Sequence, residues 1–444
     1  MARLGLALVL TLVVGVVLSQ ATTTEAQEAR TVVIGGLESP RGLAFGPDGK
    51  LYVTEAGTGG DETTDWVPPF RSSTFGPTGR IIRVDDGQPT VVASGLQSVA
   101  LGPMPEVVGP QDLAFLGNTL YAVVGQMNAL PTGKETFSLL VKIGADGKGE
   151  TVANLGKYER DNNPDGTVPD SNPFGLTAGP DGNLYVTDAG ANAVLKITPA
   201  GDVTVAQVWR ENSVPTSLAF DTSGRAHVGF LSPFPFPKGG ARLERLTTGG
   251  TEIVVPHLTT VVDVKVGPDG NAYVLEHAAE FVMSPPPPGF KSSSGRVLRV
   301  TAAGLEEVAG GLNHPTKMAF GPDGSLYVAN NAVGAPPKSG EVLKLTLPAT
   351  GTPVTVSAPA PAAQAAPAAQ PSPAAKPAGQ PAPAAKPAVQ PAVQPAQAPA
   401  PVASPSALPR TGVAPDVATA FVPLAAAGAA LTAVGLGLLR RRRP

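Results

Sequence analysis

Cysteine is absent from all 444 residues of the chain. Without thiols there are no disulfide staples, no thiolate nucleophile and no zinc–thiolate site, so any core must hold by burial alone. Charge of one sign is also missing: 32 Lys and Arg stand against 35 Asp and Glu, a net charge of −3. That balance gives no electrostatic reason to bind nucleic acid or an anionic membrane. No nucleophile elbow, phosphate-cradling loop or Cys/His cluster is present, and the GTGGDE run from Gly57 follows no dinucleotide-binding pattern. What the chain has in quantity is glycine and proline, 52 and 49 residues. This composition indicates a turn-rich fold together with a compositionally biased segment.

The two ends read as export and anchoring signals. Arg3 forms a short positive region, Leu4 to Leu18 an apolar run, and Ser19-Gln20-Ala21 a small-residue cleavage site, so residues 1–26 are expected to be a signal peptide. An uncleaved N-terminal anchor is the alternative. At the other end, residues 417–439 carry no charge, and at about 1.5 Å per residue a helix there covers about 33 Å, enough for a hydrocarbon core. Residues 440–444 begin with four arginines, which stay cytoplasmic under the positive-inside rule. Just before them stands Leu408-Pro409-Arg410-Thr411-Gly412. The pentapeptide, apolar helix and basic tail together resemble the LPxTG sorting signal of Gram-positive surface proteins. The resemblance implies a sortase as partner, cleavage between Thr411 and Gly412, and attachment to cell-wall peptidoglycan. A plain single-pass membrane anchor is the alternative. Residues 349–407 are Ala, Pro, Gln, Val and Ser with scattered Lys, too poor in large apolar side chains to form a core. Such a stalk is expected to be disordered and to favour polyproline II, spanning up to about 180 Å if fully extended.

Between these ends, residues 31–348 repeat one pattern. SPRGLAFGPDGKLYVTEAG at Ser39 returns as GPQDLAFLGNTLYAVVG, NPFGLTAGPDGNLYVTDAG, VPTSLAFDTSGRAHVGF, VVDVKVGPDGNAYVLEH and HPTKMAFGPDGSLYVAN, at intervals of about 45 to 70 residues. Each copy is two short β runs around a turn in which Gly takes a positive φ. Third and fourth runs follow, such as those starting at Arg80 and Thr90. Four antiparallel strands per unit make a propeller blade. The last copy has three strands, and the missing outer strand is supplied by Thr31 to Gly36. The expected fold is an all-β, six-bladed propeller closed by its N-terminal strand, which also protects the sheet edges.

The hairpins look like those of NHL and SMP-30-like propellers. SPRGLAFGPDG, YERDNNPDGTVPDSNPFGL from Tyr158, and GFLSPFPFPKGGARLERL resemble more closely the ScyD/ScyE family of bacterial exported proteins. That resemblance covers the repeats and implies a propeller and export. It implies no catalytic residues, and the sorting signal is not part of it.

Equivalent positions of the repeat point to the central channel. At the end of strand two they are Glu55, Val124, Asp188, Phe230, Glu276 and Asn330; at the start of strand one, Gly42, Asp112, Gly175, Ser217, Asp263 and Lys317, with Arg41 beside the first. Three carboxylates and an amide at one level repel one another unless a cation intervenes. Glu55, Asp188, Glu276 and Asn330 are therefore candidate oxygen ligands for Ca²⁺ or Mg²⁺. SMP-30-like hydrolases are similar in holding Ca²⁺ at such a place, where it activates lactones or esters. In the other reading the carboxylates are solvated or paired, with Arg41, Lys265 and Lys317 as partners. His277 and His314 flank the same mouth as candidate bases. Three insertions fall on this face: Ala56 to Gly79 with Trp66, Phe70 and Phe75; Gly156 to Asn172, rich in Asp and Asn and itself a candidate Ca²⁺ binder; and Ala278 to Gly295 with Phe281 and Phe290. The sequence thus supports a surface-anchored binding propeller, with a Ca²⁺-dependent lactonase or esterase and a structural envelope component as alternatives.

Overall fold

The structure is a computed structural model and describes residues 30–64, 73–101, 106–126, 137–284 and 288–347. The signal peptide, the stalk, the sorting motif Leu408, Pro409, Thr411 and Gly412, the apolar segment 417–439 and the basic tail lie outside the described residues, as do Trp66 and Phe70.

Six antiparallel sheets form the expected ring. In the third blade the strands run outward as Pro173–Ala178, Leu184–Asp188, Ala193–Ile197 and Val203–Val208. The sixth blade is closed as expected. Arg30–Leu37 pairs antiparallel with Gly340–Leu345, outside Leu326–Asn330 and Met318–Phe320. The first blade is larger than the repeat suggested. Its third and fourth strands extend over Ser73–Asp85 and Gln88–Leu101 and take on two further short strands, Glu62–Thr64 and Glu106–Val108. Part of the first insertion is therefore sheet. Phe75 is buried there with Val99, Leu101, Val108 and Phe137.

The hairpin turns of the first, third, fifth and sixth blades are built alike. In the first, Gly49 N–H donates to the Gly46 carbonyl at 2.9 Å, with Gly49 at φ 72°, a conformation that side chains with a Cβ rarely adopt. The Asp48 carboxylate accepts from Lys50 N–H at 3.1 Å and from the Tyr52 hydroxyl at 3.1 Å. The tyrosine ring then meets a phenylalanine of the next blade edge to face. Tyr52–Phe115, Tyr185–Phe220, Tyr273–Phe320 and Tyr327–Phe45 have centroid separations of 4.9, 5.0, 5.0 and 5.0 Å. The LYV and LAF segments of the repeat thus fasten neighbouring blades, and the quadrupoles of the rings favour that geometry. The apolar core sits between blade faces. Ile34, Leu37 and Val342 of the sixth blade pack with Leu43, Val53 and Ile82 of the first.

This closure is testable on one strand. Ile34 is 4% exposed and Val32 is 55% exposed. Ile34→Ala is expected to destabilise the fold by about 2–5 kcal/mol, and Val32→Ala to change it by less than about 0.5 kcal/mol. Chemical denaturation of the two variants checks this; equal, negligible effects would show that the strand does not close the ring.

Candidate functional site at the channel mouth

The innermost strands decide what the channel contains. In five of the six blades this strand begins with a bulge. Pro110 pairs with Val124 and Asp112 with Val123, leaving Gln111 unpaired between them; Phe174, Thr216 and Val262 are the extra residues in the third, fourth and fifth blades. In the first blade the shift falls between Pro40 and Leu43. Bulges re-aim side chains. Here they place two consecutive residues of each strand at the axis, as two levels.

The lower level holds four of the residues expected there. Lys317 Nζ lies 3.5 Å from Asp112 Oδ2 and 3.6 Å from Asp263 Oδ1, and donates to the Thr216 carbonyl at 3.1 Å. Asp263 also accepts from Lys265 Nζ at 2.8 Å, Ser217 Oγ at 2.6 Å and Met318 N–H at 2.8 Å. Burial raises Asp263, but Lys265 and Lys317 outweigh it and hold the carboxyl below its usual range. Asp112 remains raised by burial, with Lys317 acting against that. Gly42 is required beside this cluster, because a Cβ there would sit 2.6 Å from Asp112 Cα. Two carboxylates and two ammonium groups from three blades thus fill the axis. Of the suggested cationic partners, Lys265 and Lys317 pair with these aspartates, not with Glu55, Asp188 or Glu276.

The four candidate metal ligands are used differently from the expectation. Each braces the loop that leads into its own blade. Glu55 Oε1 accepts from Glu38 N–H at 2.7 Å, Asp188 Oδ1 from Asn172 N–H at 2.6 Å, Glu276 Oε1 from Thr259 N–H at 2.6 Å and Asn330 Oδ1 from Asn313 N–H at 2.8 Å. Their other atoms are also engaged. Glu55 and Glu276 are ion-paired to Arg80 and Arg296, at 2.5 and 2.6 Å. Asp188 Oδ2 accepts from Ser171 Oγ at 2.6 Å, and Asn330 Nδ2 donates to Glu341 at 2.8 Å. This donor set does not fit a shared cation. Among the described residues no group of three or more His, Asp or Glu side chains is disposed to hold a metal ion. The Gly156 to Asn172 insertion overlaps the helix Leu155–Asn162 and buries carboxylates, Glu159, Asp165 and Asp170 among them. Glu159 is pushed up to about 8, first by burial and then by Asp188 and Asp165.

The upper level opens as a small pocket that is partly open to solvent. Arg41, Gln111, Phe174, Val262 and Thr316, the equivalent residues of five blades, line its base, while Glu106, Leu231, His277, Phe290 and Val333 stand around them. All five polar residues among these are buried, and three keep an atom that no protein group satisfies: Arg41 Nε, Glu106 Oε2 and His277 Nε2. Arg41 spends one terminal nitrogen on the Val107 carbonyl at 2.6 Å and reaches Glu106 Oε1 only at 3.9 Å. Burial pushes Glu106 up to about 8, with Arg41 acting against it, and lowers Arg41. His277 Nδ1 faces the Pro315 carbonyl at 2.8 Å. A carbonyl only accepts, so Nδ1 carries the hydrogen and Nε2 is a bare acceptor. Burial, then the neighbouring His314, lowers His277 to about 3. His314 stacks on it at 5.1 Å, its own ring nitrogens facing the carbonyls of Val333 and Phe290. His277 therefore reaches the mouth as expected, and His314 supports it from behind.

Counting from the repeat selects the lower level and misses Gln111, Phe174, Val262 and Thr316. The runs Pro110-Gln111-Asp112 and Pro173-Phe174-Gly175 hold part of the signal: the residue after the proline is the bulged one.

No protein-family model matches the chain, and no curated protein matches it. Among solved structures it is similar to a putative oxidoreductase (glucose dehydrogenase) from Thermus thermophilus, with 19% identity and TM-score 0.45 over 72% of this chain and 100% of that one. It is also similar to the PQQ-bound aldose sugar dehydrogenase of Streptomyces coelicolor, with 17% identity and TM-score 0.45 over 72% and 98%. A third is regucalcin, a calcium-binding protein of Agrobacterium tumefaciens, with 17% identity and TM-score 0.44 over 72% and 94%. Likeness at this level assigns no function.

The Glu106 environment predicts a pH effect. Below the ordinary value of 4.5 the carboxyl is protonated in both folded and unfolded chains. Between 4.5 and about 8 the unfolded chain loses that proton while the folded chain keeps it, so this group's contribution to stability falls as pH rises through that window. Glu106→Gln keeps a neutral side chain and removes the effect. The stability difference between variant and wild type should grow in the variant's favour from pH 5 to 8, by at most about 1.4 kcal/mol per pH unit. Denaturation curves across that range check this; a constant difference would place Glu106 in its ionised form.

Proposed function

We propose that this protein is an exported propeller, held at the cell surface by its C-terminal signal, that captures a small ligand in the channel-mouth pocket. The observation that carries the reading is the set of three buried atoms, Arg41 Nε, Glu106 Oε2 and His277 Nε2, left without protein partners around one pocket. Buried polar groups are normally satisfied, and leaving one unsatisfied costs about 1–3 kcal/mol. A ligand that supplies the missing partners recovers that cost. The ion cluster below closes the axis, so the pocket is entered from the mouth. The resemblance to exported ScyD/ScyE propellers supports the address, and the sorting signal and stalk support display beyond the wall. Binding is favoured over hydrolysis because the expected ligands for an activating cation are committed to bonds within their own blades.

Binding is tested with the full-length chain labelled with ¹⁵N-histidine. Members of a fragment library are expected to shift the His277 ring signals saturably while leaving His227 and His257 unchanged. A library in which no compound moves His277 would remove the ligand-binding reading.

Anchoring is tested in a sortase-bearing Gram-positive host. The chain is expected in the covalent wall fraction, released by muramidase, and Thr411→Ala should transfer it to the membrane fraction. An identical distribution of the two would show that the signal acts as a simple membrane anchor.

A further inference from the structure

We propose that the mouth pocket selects a small carboxylate on an aromatic or otherwise apolar body. The inference rests on the ligand-binding reading above and adds the chemical class. Its first support is Arg41. This guanidinium is 3% exposed and lacks a carboxylate within hydrogen-bonding distance, Glu106 being 3.9 Å away. One terminal nitrogen is used by the Val107 carbonyl and Nε has no partner. A buried cation held this way is stabilised by an anion that can hydrogen-bond to it, and guanidinium matches carboxylate geometry.

The second support is that the neighbouring groups do not supply that anion. Glu106, raised to about 8 by burial, carries a proton at neutral pH. It leaves the charge of Arg41 uncompensated and offers an O–H donor to an incoming carboxylate. His277, lowered to about 3 by burial and then by His314, is neutral and lines the same pocket as Arg41. Its bare Nε2 repels a second anionic group and accepts from a ligand donor, which favours a monocarboxylate. The ammonium of Lys317 sits 4.9 Å from the centre of the Phe174 ring, beneath the pocket, but is engaged by Asp112 and Asp263.

The third support is the wall. Phe174, Leu231, Val262, Phe290 and Val333 line the same pocket. Phe290 continues into an aromatic cluster, edge to face with Phe281 at 4.9 Å and tilted by 39° on Phe236 at 5.1 Å. Phe234, 40% exposed, completes it at 6.0 Å from Phe281. A planar apolar body has faces to pack against from the base of the pocket to its rim.

Three probes of one shape test the class: phenylacetate, phenylacetamide and phenethylamine, titrated calorimetrically into the full-length chain at pH 7. Phenylacetate is expected to bind at least about 10-fold more tightly than the amide, the lower bound for a charge-assisted bond, with no binding of the amine. Arg41→Met should abolish the preference for the acid over the amide, with folding verified by circular dichroism. Should that variant not fold, the wild-type pH profile decides. Phenylacetate affinity should fall as Glu106 ionises above about pH 8, and Glu106→Gln should remove that fall. Equal or tighter binding of the amide or amine would overturn the carboxylate assignment while leaving pocket binding intact. If none of the three binds but other fragments shift His277, the assignment likewise falls. If nothing shifts His277, the broader reading fails with it.

Discussion

The buried contact of Lys317 with Asp112 and Asp263 is the constraint on which the centre of the molecule depends. A six-bladed ring leaves an axial channel, and side chains from the innermost strands must either fill it or line it. Here one ammonium group reaches carboxylates of the second and fifth blades and a carbonyl of the fourth. Ion pairs in such surroundings are costly to assemble and costlier to break, because removing one partner strands a buried charge. The hydrogen bonds of Ser217, Lys265 and Met318 to Asp263 keep that cost down. With the axis closed by charge, the level above it becomes a pocket.

The pocket follows from a second regularity, the bulge that opens five of the six innermost strands. A bulge leaves one residue outside the ladder and turns it toward the axis. Four of those residues line the mouth together with Thr316 of the sixth blade, and their chemistry differs from blade to blade: guanidinium, amide, aromatic ring, β-branched alkyl and hydroxyl. The backbone repeats while the side chains do not. This combination gives a rigid frame with an individual binding surface, supported by Thr316, whose hydroxyl bonds to the Pro40 and Arg41 carbonyls across the ring closure.

The carboxylates show how position in a blade decides chemistry. Glu55 and Glu276 end their strands at equivalent points and pair with arginines on the neighbouring strand. Glu106 comes from an added strand of the first blade and has only a distant guanidinium. The first two are structural braces, and the third is an acid pushed up to about 8 by burial beside a pocket. Residue type does not separate these roles, because all three are glutamates. The distance to the nearest cation does.

By itself the amino-acid sequence determined the repeat, the number of blades and the closing strand. Those features rest on local chemistry: alternating apolar residues, a Pro-Asp-Gly turn requiring positive φ, and tyrosine and phenylalanine at fixed offsets. It also indicated the channel level of Asp112, Ser217, Asp263 and Lys317, and the place of His277. Only the tertiary structure decided that Glu55, Asp188, Glu276 and Asn330 turn back into their own blades, and that Arg41, Glu106 and His277 meet at one mouth. The reason is geometric. A one-residue bulge changes which side chain faces the axis, and the groups at the mouth come from blades far apart in the chain, brought together only when the ring closes.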